Sequence, residues 1–489
     1  MPRPLRLRPR CLPCALLLIL SLLCPQPAKA QATAKPHTKS QTTPKARLLV
    51  TNAYIFSMAP DEREPFHGYL VVASDGRLTT VAPGNPPASL KAVTTWNANG
   101  HWILPGFISA HSHLWQSAYR GLAPSQTLTG WIDELYGKQS SHATAEDLYW
   151  FTLEGSLDHL RHGITAAYNF SLGGHTPDQS LAFNQQEFNA ELASGIRFVH
   201  GWQPGRKDNN AQDNTVQATH DHLKAFLDWS APQRQNPSVL SVMINGMTSF
   251  VPRDDAPQEA ALEVQLMREF HLRNQTHYLE PPETEAAEQA LFPLFVHSGL
   301  LSDQLIFGHF IHTTPDILAA TGNAHADMVW NPLSNGRLAS GTADIPAYLK
   351  AGINVGMGVD GEASADLADP FENMRTGLYA IRDMYQSAYI MTPYDVLRLQ
   401  TVGSADVLGV SDRLGSLEPG KFADFLVLDP IHFGVIFDPY ATLVLVASEP
   451  DLERVYVGGQ LQVEHGTLLH KDLPHVEAEV NRRVAQESK

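Results

Sequence analysis

Short apolar runs separated by helical patterns recur along the middle of the chain. Eight such runs lie between residues 105 and 408: the run before His111, then GITAAYNF, IRFVHG, VLSVMING, THYLE, LIFGHF, DMVWNP and NVGMGVDG. Strands that alternate with helices form βαβ units, in which neighbouring strands run parallel. The pattern therefore predicts an α/β protein with a (β/α)8 barrel of the TIM type over residues 105–408.

Two helices of this region have recognisable starts. Thr144 and Asp147 form a capping-box pattern ahead of residues with a helical period, and Gly163 marks the expected end. Thr392 is likewise followed three positions later by Asp395. These signals predict one helix between Thr144 and Gly163 and a second helix that begins at Thr392.

Shorter strand-like runs flank the barrel on both sides. Residues 47–104 contain LLVTNAYIF, GYLVVA, RLTTVA and HWIL, and residues 409–470 contain DFLVLD and RVYVGGQLQVEHG. Turn signals such as Asp75-Gly76 separate these runs. We expect the two segments to form one small discontinuous β-sandwich domain, built from both flanks of the barrel. A polar helix is expected over residues 471–489.

The N-terminal residues differ in composition from the rest of the chain. Four arginines precede an apolar run from Ala15 to Leu23, and Ala28-Lys29-Ala30 follows, which is typical of a secretory signal peptide over residues 1–30. Residues 31–46 are rich in Gln, Thr, Lys and Pro and predict a flexible tether. We therefore expect a secreted or periplasmic protein. An uncleaved anchor is the alternative, although the apolar run is far shorter than the ~20 residues that span a bilayer.

Composition and charge narrow the classes of partner. Hydrophobic residues make up 43% of the 489 residues, so the chain can bury a large core. The net charge is −16, and the leader contains basic but no acidic residues, so its loss would make the chain more acidic. Such a surface disfavours nucleic acids and anionic membranes and leaves a small molecule as the expected ligand. All three cysteines lie in the leader, which excludes cysteine chemistry after cleavage.

The candidate chemistry lies in histidines and acidic residues at the ends of the predicted strands. His111 and His113 close the first run, and positions i and i+2 of a strand point to the same face. On its own this pair is better explained as two polar residues at a strand end, and the further residues below change that interpretation. Four further polar residues follow other strands: His277, Glu280, His309 and Asp360. Catalytic groups of (β/α)8 enzymes lie at these C-terminal strand ends, so we expect the six side chains to converge.

Three imidazoles and one carboxylate form a ligand set that suits Zn²⁺ or Fe²⁺. Such an ion would lower the pKa of a bound water toward ~7 and so supply hydroxide at neutral pH. Glu280 beside it would be placed to carry a proton from that water to a leaving nitrogen. The pattern therefore indicates metal-assisted hydrolysis.

With these residues in place, the chain resembles the amidohydrolase superfamily, in the branch of S-adenosylhomocysteine deaminase, cytosine and guanine deaminases and the triazine chlorohydrolases. The resemblance extends from about Leu48 to Gly466. It rests on ILPGFISAHSHL, on HYLE in the place of the branch's His-x-x-Glu, and on GHF, GVDGEAS and GSLEPGKFADFLVLD. These motifs are specific for the superfamily and carry little information about the substrate.

The resemblance implies a role for each of the six side chains. One divalent ion, with Zn²⁺ expected and Fe²⁺ as the alternative, would be held by His111, His113, His277 and Asp360. His309 would hydrogen-bond the hydroxide or the substrate, Glu280 would shuttle protons, and Asp360 would also accept the proton of the attacking water. The run VLSVMING lacks the lysine that binuclear relatives carboxylate, so a mononuclear site is expected.

Residues next to these motifs are candidates for substrate binding. Trp115, Gln116 and Arg120 follow the His-x-His motif, although packing inside the barrel is an equally good interpretation of Trp115. Asn335 lies in NPLSNGRLASG, which resembles a loop beside the substrate in this branch, with a solvated loop as the alternative.

Two positions of the branch's nucleoside-binding pattern differ in this chain. Relatives that bind a ribose have an acidic residue after the first barrel helix, where this chain has YGKQSSH at residues 136–142. They also have a histidine at the end of the fourth strand, where this chain has Asn245-Gly246. Adenosine-type substrates are therefore disfavoured, unless a loop such as the one with Arg206 and Lys207 supplies the missing contacts.

Three functional hypotheses follow. The leading one is a secreted, metal-dependent amidohydrolase in which a metal-bound hydroxide cleaves a non-peptide C–N bond, either by deaminating a heterocycle or by opening a cyclic amide or amidine. The second is hydrolytic dechlorination or dealkylation of an aromatic ring, which differs only in the leaving group. The third is a catalytically inactive barrel that acts as a binding protein, which the intact set of six polar residues disfavours. The resemblance allows a homodimer, although no sequence feature marks an interface.

Overall fold

Strands dominate both ends of the chain and alternate with helices in its middle. The computed structural model describes residues 46–205, 216–248 and 253–487. The predicted signal peptide and residues 31–45 of the predicted tether lie outside the described residues, as do Arg206 and Lys207. The first described element begins at Ala46, which is the last residue of that tether.

The described residues form nineteen strands. In chain order they are β1 (Ala46–Ile55), β2 (Phe66–Val72), β3 (Leu78–Pro83), β4 (Ala92–Asn97), β5 (Trp102–Pro105), β6 (Phe107–Ser109), β7 (Ser112–His113), β8 (Ile164–Phe170), β9 (Arg197–Trp202), β10 (Val239–Asn245), β11 (Asn274–Tyr278), β12 (Leu305–His309), β13 (Asp327–Trp330), β14 (Val355–Met357), β15 (Asp360–Gly361), β16 (Phe425–Leu428), β17 (Leu452–Val457), β18 (Gln460–Glu464) and β19 (Thr467–Leu468).

Fourteen α-helices occur in the same part of the chain. They are α1 (Leu128–Leu135), α2 (Ala145–Arg161), α3 (Pro177–Ser194), α4 (Val216–Ser230), α5 (Ala256–Phe270), α6 (Glu285–Ser298), α7 (Pro315–Asn323), α8 (Pro332–Arg337), α9 (Ile345–Lys350), α10 (Pro370–Tyr385), α11 (Pro393–Arg398), α12 (Ser404–Val407), α13 (Pro439–Leu445) and α14 (Leu473–Glu487). None of the helices in the described ranges is long and apolar enough to cross a membrane.

The central sheet confirms the predicted α/β barrel class. Its eight parallel strands follow the order β14-β13-β12-β11-β10-β9-β8-β6, so each strand pairs with its neighbour along the chain. Each corresponds to one of the eight apolar runs. Because helices cover the outside and side chains fill the inside, β8 and β12 are buried along their whole length.

The barrel closes at its C-terminal end through two short strands. The edge strands β6 and β14 do not pair with each other, but β7 and β15 form a parallel pair in which Ser112 is opposite Asp360 and Gly361 is opposite His113. The backbone N–H of Asp360 donates to the carbonyl of His111 at 3.0 Å. The closing contact therefore lies among the candidate ligands.

The flanking strands form one sheet from both sides of the barrel, as the fold prediction required. Its order is β19-β18-β17-β16-β5-β1-β2-β3, and β4 pairs in parallel with β1. Strand β5 ends at Pro105 and β6 begins at Phe107, so the chain enters the barrel there with hardly any linker. The sequence did not predict β4. Its segment AVTTWN is largely exposed and does not alternate between apolar and polar residues as a half-buried strand would.

Both predicted helix starts are present. Thr144 caps α2 and forms a reciprocal capping box with Asp147, and the residue after the C-cap, Gly163, has a φ of +82°. Thr392 and Asp395 form the same box at the start of α11. The predicted C-terminal polar helix is α14.

Candidate active site

Five of the six predicted side chains converge at the closing pair of strands. The Nε2 atom of His277, from β11, lies 3.1 Å from the Nε2 atoms of both His111 and His113. Asp360 Oδ1 lies 3.4 Å from His111 Nε2 and 3.3 Å from His113 Nε2. One ligand atom from each of four residues falls within 4.8 Å of the others: His111, His277, His309 and Asp360.

The protonation of His111 is set by its neighbour Gln275. The Gln275 amide donates to the carbonyl of Ala110 at 3.0 Å, which orients its oxygen toward the ring. His111 Nδ1 then donates to Gln275 Oε1 at 2.5 Å, and Nε2 is left with a free lone pair. A second hydrogen bond of this kind is what orients a metal-ligating histidine.

The other two imidazoles are held neutral. Burial lowers the pKa of His277 well below its usual value, and the neighbouring His111 and His113 lower it further. Burial is also the main cause of the lowered pKa of His113. Imidazole nitrogens 3.1 Å apart around a carboxylate oxygen form a donor set that suits a divalent cation. The residues present therefore fit a metal with three nitrogen ligands and one oxygen ligand.

Asp360 is the charged member of the cluster. Burial raises its pKa, but the close contacts with the imidazoles of His111 and His113 outweigh that effect and hold the pKa well below the usual value. Its second oxygen, Oδ2, accepts a hydrogen bond from Ser364 Oγ at 2.9 Å. The carboxylate is therefore ionised at neutral pH and oriented from two sides.

The backbone at these strand ends is strained. Leu279, His309 and Asp360 have φ values of +53°, +65° and +62°, in the left-handed region that side chains with a Cβ rarely adopt. Such residues cost of order 1–3 kcal/mol each and cluster at functional sites. Here the unusual backbone turns the side chains after β11, β12 and β14 toward one point.

His309 and Glu280 occupy the cavity side of the cluster. Asn335 Nδ2 donates to His309 Nδ1 at 2.8 Å, so the ring proton is on Nε2. Burial is the main reason that the pKa of His309 is lowered to about 3. Glu280 is fully buried 3.4 Å from His309 Nδ1. Burial first, and then the charges of Asp360 and Glu288, raise its pKa well above the usual value, which favours the protonated acid.

A cavity of about 310 Å³ lies against this cluster. Its wall contains His113, His277, Glu280, His309 and Asp360. The remaining described lining residues are Leu128, Trp131, Ile132, Tyr136, Phe170, Gln203, Gly246, Met247, Thr248, Arg253, Thr276, Leu338 and Ser364. The arrangement can bind a small ring beside one buried acid, one anionic carboxylate and one imidazole N–H.

The structure does not place three of the predicted substrate binders at this cavity. Trp115 is fully buried and packs edge-on against Tyr119 and Tyr136, which is the packing role considered as its alternative. Gln116 Nε2 donates to the hydroxyl of Tyr136 at 3.3 Å. Neither residue lines the cavity.

Arg120 and Asn335 contact protein groups instead of the cavity. Arg120 pairs with Glu362 and lies 3.3 Å from Asp158, so its charge is already compensated. Asn335 reaches the site only through its hydrogen bond to His309. Trp115, Gln116 and Arg120 therefore do not line the cavity, because their side chains contact neighbouring groups of the protein.

The cavity wall formed by α1 was missed by sequence reasoning. Leu128, Trp131 and Ile132 of this helix line the cavity, and Tyr136 follows at its end. Their spacing of three and four residues was a readable signal of an amphipathic helix. It did not reveal which part of the barrel the helix covers.

The sequence and the fold both match known proteins. Residues 102–461 match the amidohydrolase family. The chain is 26% identical over 448 residues to 5-methylthioadenosine/S-adenosylhomocysteine deaminase of Syntrophobacter fumaroxidans, with coverage of 88% of this chain and 96% of the relative. It is 26% identical over 443 residues to the enzyme of that name from Desulforudis audaxviator, with coverage of 87% and 95%.

Two solved structures share the fold. An adenosine deaminase from Xanthomonas campestris with bound zinc superposes with a TM-score of 0.78 at 21% identity, over 91% of this chain and all of the other. An atrazine chlorohydrolase from Arthrobacter aurescens with zinc superposes with a TM-score of 0.76 at 22% identity, over 89% of this chain and all of the other. At these identities the similarity shows the architecture.

Proposed function

This chain belongs to the amidohydrolase family of hydrolases that act on carbon–nitrogen bonds, and we propose that it hydrolyses such a bond in a small heterocycle. The reaction would be deamination or opening of a cyclic amide or amidine. The observation that carries the proposal is the convergence of His111, His277 and Asp360 beside the buried acid Glu280 at one cavity. The names of the curated relatives, which are deaminases, support the choice of bond.

One divalent ion per chain is part of the proposal, held by His111, His113, His277 and Asp360. The bound zinc of the similar structures and the three-nitrogen, one-oxygen donor set support Zn²⁺, with Fe²⁺ as the alternative. When bound, such an ion lowers the pKa of a water toward ~7 and polarises the bond that is attacked.

Asp360 and His309 act on the attacking water and on the oxygen that it delivers to the substrate carbon. The low pKa of Asp360 keeps it ionised, so it can accept a proton from the attacking water. His309 presents its Nε2–H on the same side, because Asn335 occupies the opposite nitrogen. This N–H donates to the water or to the oxygen that forms on the substrate carbon.

Glu280 supplies the proton that the leaving group needs. Its raised pKa keeps the acid protonated at neutral pH, and its position beside His309 places it on the cavity wall. As a carbon–oxygen bond forms and the carbon–nitrogen bond breaks, Glu280 protonates the departing nitrogen and regains a proton that originates from water.

Loss of an amine is favoured over the alternative hypothesis of dechlorination. Chloride leaves without a proton, whereas a neutral amine requires one, and a carboxylic acid held protonated in a buried site suits only the second case. Export of the chain to the periplasm or outside the cell, and a homodimer, are also proposed; they rest on the leader pattern and on the resemblance.

The test is turnover of a panel of heterocyclic amines, lactams and cyclic amidines by the mature protein loaded with Zn²⁺ or Fe²⁺. Release of ammonia and of chloride is measured separately, with the metal-free protein and the Glu280→Gln variant as controls. We expect carbon–nitrogen cleavage only by the loaded wild type. Chloride release alone, or no turnover of any compound, would contradict the proposal.

A further inference from the structure

One side of the cavity is formed almost entirely by apolar side chains. We call it the apolar wall, and its members are Leu128, Trp131, Ile132, Phe170, Met247 and Leu338. Three of them come from α1, namely Leu128, Trp131 and Ile132. Phe170 ends β8, and its ring lies edge-on to the ring of His277 with 4.4 Å between the centroids. The wall therefore lies next to the reacting groups.

Polar atoms along this wall are already bonded within the protein. Trp131 Nε1 donates to the carbonyl of Ala363 at 2.8 Å. Thr248 Oγ1 donates to the buried carboxylate of Glu263 at 2.6 Å. The Tyr136 hydroxyl accepts a hydrogen bond from Gln116. A substrate hydroxyl in contact with this wall would therefore find few free partners.

The charged groups of the lining are occupied as well. Arg253, the cation among the described lining residues, pairs with Asp255 at 3.1 Å and with Glu259 at 2.6 Å. Among the described lining residues the acidic groups are Glu280 and Asp360, which belong to the reacting cluster. Gln203 is the polar exception, since its Oε1 has no hydrogen-bond partner, and it offers one acceptor to a ring N–H.

We infer that the cavity takes an uncharged heteroaromatic amine or lactam bearing an apolar substituent, with the substituent against the apolar wall. This inference rests on the proposed function and deepens it. Burying a methylene group against the wall is favourable, whereas burying a hydroxyl or a charge without a partner is costly. A ribose, with its vicinal hydroxyls, is the wrong substituent for this surface.

The test is a series of compounds on one amino-heterocycle that differ only in an N-propyl, N-(2-hydroxyethyl) or N-carboxymethyl group. We expect kcat/KM to fall about tenfold from propyl to hydroxyethyl, because the hydroxyl is left unpaired, and further for the carboxylate. Equal or better turnover of the hydroxylated compound, or of the corresponding nucleoside, would overturn the inference.

A matched pair of variants tests whether the apolar wall causes the preference for the propyl compound. Ile132→Thr keeps the branch at Cβ, shortens the side chain by one methyl group and introduces a hydroxyl, so the propyl-to-hydroxyethyl ratio should shrink at least threefold. Asp133→Asn lies on the exposed face of the same helix and should leave the ratio unchanged. An unchanged ratio in Ile132→Thr contradicts the inference.

Failure of the proposed function has a different signature. If no member of the series is turned over, dissociation constants for the same three compounds are measured with the Glu280→Gln variant. Preferential binding of the propyl compound then supports the apolar wall while the reaction is rejected. Preferential binding of the hydroxylated or charged compound rejects the wall as well.

A second, independent observation concerns His159, a fully buried residue of α2. Phe151, Gly155 and His159 are spaced by four residues and share one face of α2. The carbonyl of Phe151 accepts a hydrogen bond from Ser117 Oγ at 2.8 Å. At Gly155 a Cβ would lie only 2.1 Å from the carbonyl oxygen of Leu114. This face therefore packs directly against the segment that follows the His-x-His motif.

Hydrogen bonds link His159 to both strand ends that carry ligands. His159 Nδ1 donates to the carbonyl of Gly155 at 2.8 Å, and its Nε2 is hydrogen-bonded to Ser112 Oγ at 3.1 Å. Ser112 Oγ lies 2.6 Å from Ser109 Oγ, which in turn accepts from the backbone N–H of Val359 at 3.0 Å. The chain of bonds thus runs from α2 past His111 and His113 to the residue before Asp360.

The structure assigns His159 as a positioning residue that fixes the distance between the His-x-His motif and Asp360. Ser112 is the residue between the two histidines, and His159 is its side-chain partner on α2. Loss of the partner at Nε2 would remove one of the two side-chain hydrogen bonds of the buried Ser112 hydroxyl and leave the one with Ser109. The ligand atoms would then be held less well, and the affinity for metal would fall.

Two substitutions of His159 distinguish the role of Nδ1 from that of Nε2. His159→Asn retains a donor near the Nδ1 position and loses the acceptor at Nε2, whereas His159→Gln places an amide oxygen near Nε2. The dissociation constant for Zn²⁺ is measured on the metal-free proteins by competition with a chromophoric chelator. We expect His159→Asn to weaken binding 10- to 100-fold, as for other partners of metal ligands, and His159→Gln to stay within threefold of wild type.

Two controls decide whether the effect is specific. His162→Asn makes the same chemical change three residues along α2 and should not alter the affinity. Ser112→Ala should weaken binding by itself and make the His159→Asn change nearly silent in the double variant, because both remove one hydrogen bond. Unchanged Zn²⁺ affinity in His159→Asn, or a fully additive double variant, would reject the assignment, whatever happens to the melting temperature.

Discussion

Two of the buried clusters of histidines and carboxylates in the described part of the barrel can be compared, and one of the two has the geometry of a reactive site. The first is the ligand cluster of His111, His113, His277 and Asp360. The second, which we call the Glu–His network, consists of Asn169, Asn184, Glu187, Glu191 and His200 between β8, β9 and α3. Members of both are buried, apart from the partly exposed His277, so burial does not distinguish them.

Pairing of donors with acceptors distinguishes the two clusters. In the Glu–His network, Asn169 Nδ2 donates to Glu187 at 3.0 Å and to Glu191 at 2.7 Å. His200 faces an acceptor on each side, Glu191 at 3.0 Å and Asn184 at 3.2 Å. Such a satisfied network stabilises the packing of a helix on a sheet.

The ligand cluster shows the opposite pattern. Its imidazole nitrogens approach one another to 3.1 Å, its backbone is strained, and it opens on the cavity. The Glu–His network has no member in the cavity lining. Imidazole nitrogens and a carboxylate that converge in this way can hold a metal ion, and residue types alone do not reveal that convergence.

The largest expected effect is the loss of Asp360. The Asp360→Ala variant removes the anionic ligand and the acceptor of the water's proton, so we expect turnover to fall by a factor of about 10³ or more. Metal content should fall with it, as it should in His111→Ala. Elemental analysis measures the metal content, and ammonia release measures turnover. A fully active Asp360→Ala variant would show that the ligand cluster is not the reactive site.

Glu280→Gln should separate catalysis from metal binding. The amide fills the same space but carries no transferable proton, so we expect turnover to fall by about 10² to 10⁴ while metal content stays at the wild-type level. Steady-state kinetics and elemental analysis on the same preparation test this. Wild-type turnover would show that another group protonates the leaving nitrogen.

A substitution in the Glu–His network should lower the free energy of unfolding and leave the rate of turnover nearly unchanged. Glu191→Ala leaves His200 without its carboxylate partner in a fully buried site, so we expect the free energy of unfolding to fall by about 3–5 kcal/mol. Urea denaturation measures this change. The folded fraction should keep its metal and a kcat within threefold of wild type; a selective loss of kcat would assign the network to the active site.

Metal removal should destabilise the protein by a smaller amount. We expect about one divalent ion per chain, because four ligands are present and VLSVMING has no bridging lysine. Adding Zn²⁺ at 100 times its dissociation constant to the metal-free protein should raise the free energy of unfolding by about 2.7 kcal/mol. A thermal scan with and without Zn²⁺ tests this, and two ions per chain would contradict the mononuclear prediction.

The smallest expected effect is a pH dependence that comes from Glu187. Burial, and then the charge of Glu191, raises the pKa of Glu187 well above its usual value, so the folded state holds this proton more tightly than the unfolded chain. The associated stability is present below the ordinary pKa of a glutamate and is lost as the pH rises. The unfolding free energy of wild type should therefore fall relative to Glu187→Gln between pH 5 and pH 9.

The matched control for this measurement is Glu283→Gln at an exposed position. The difference in unfolding free energy between this variant and wild type should not change over the same pH range. A Glu187→Gln difference that is equally flat, or that grows with pH, would contradict the proposed linkage.

The sequence by itself determined the barrel class and the convergence of its strand-end residues. Eight apolar runs alternate with helices, and parallel βαβ units place all C-terminal strand ends on one face, so His277 and His309 had to lie near His111 once the barrel closed. The helix caps at Thr144 and Thr392 could also be predicted, because each capping box joins residues only three positions apart. These features depend on periodicity and on neighbours in the chain.

Only the tertiary structure decided which residues face the substrate cavity. Arg120 follows the His-x-His motif, yet it pairs with Glu362, which is 242 positions away. Leu128, Trp131 and Ile132 form the wall because α1 packs over the cavity, and the closing pair of β7 with β15 joins residues 248 positions apart. Such contacts depend on how distant elements pack, and no local pattern of residue types encodes the direction in which a side chain points after that packing.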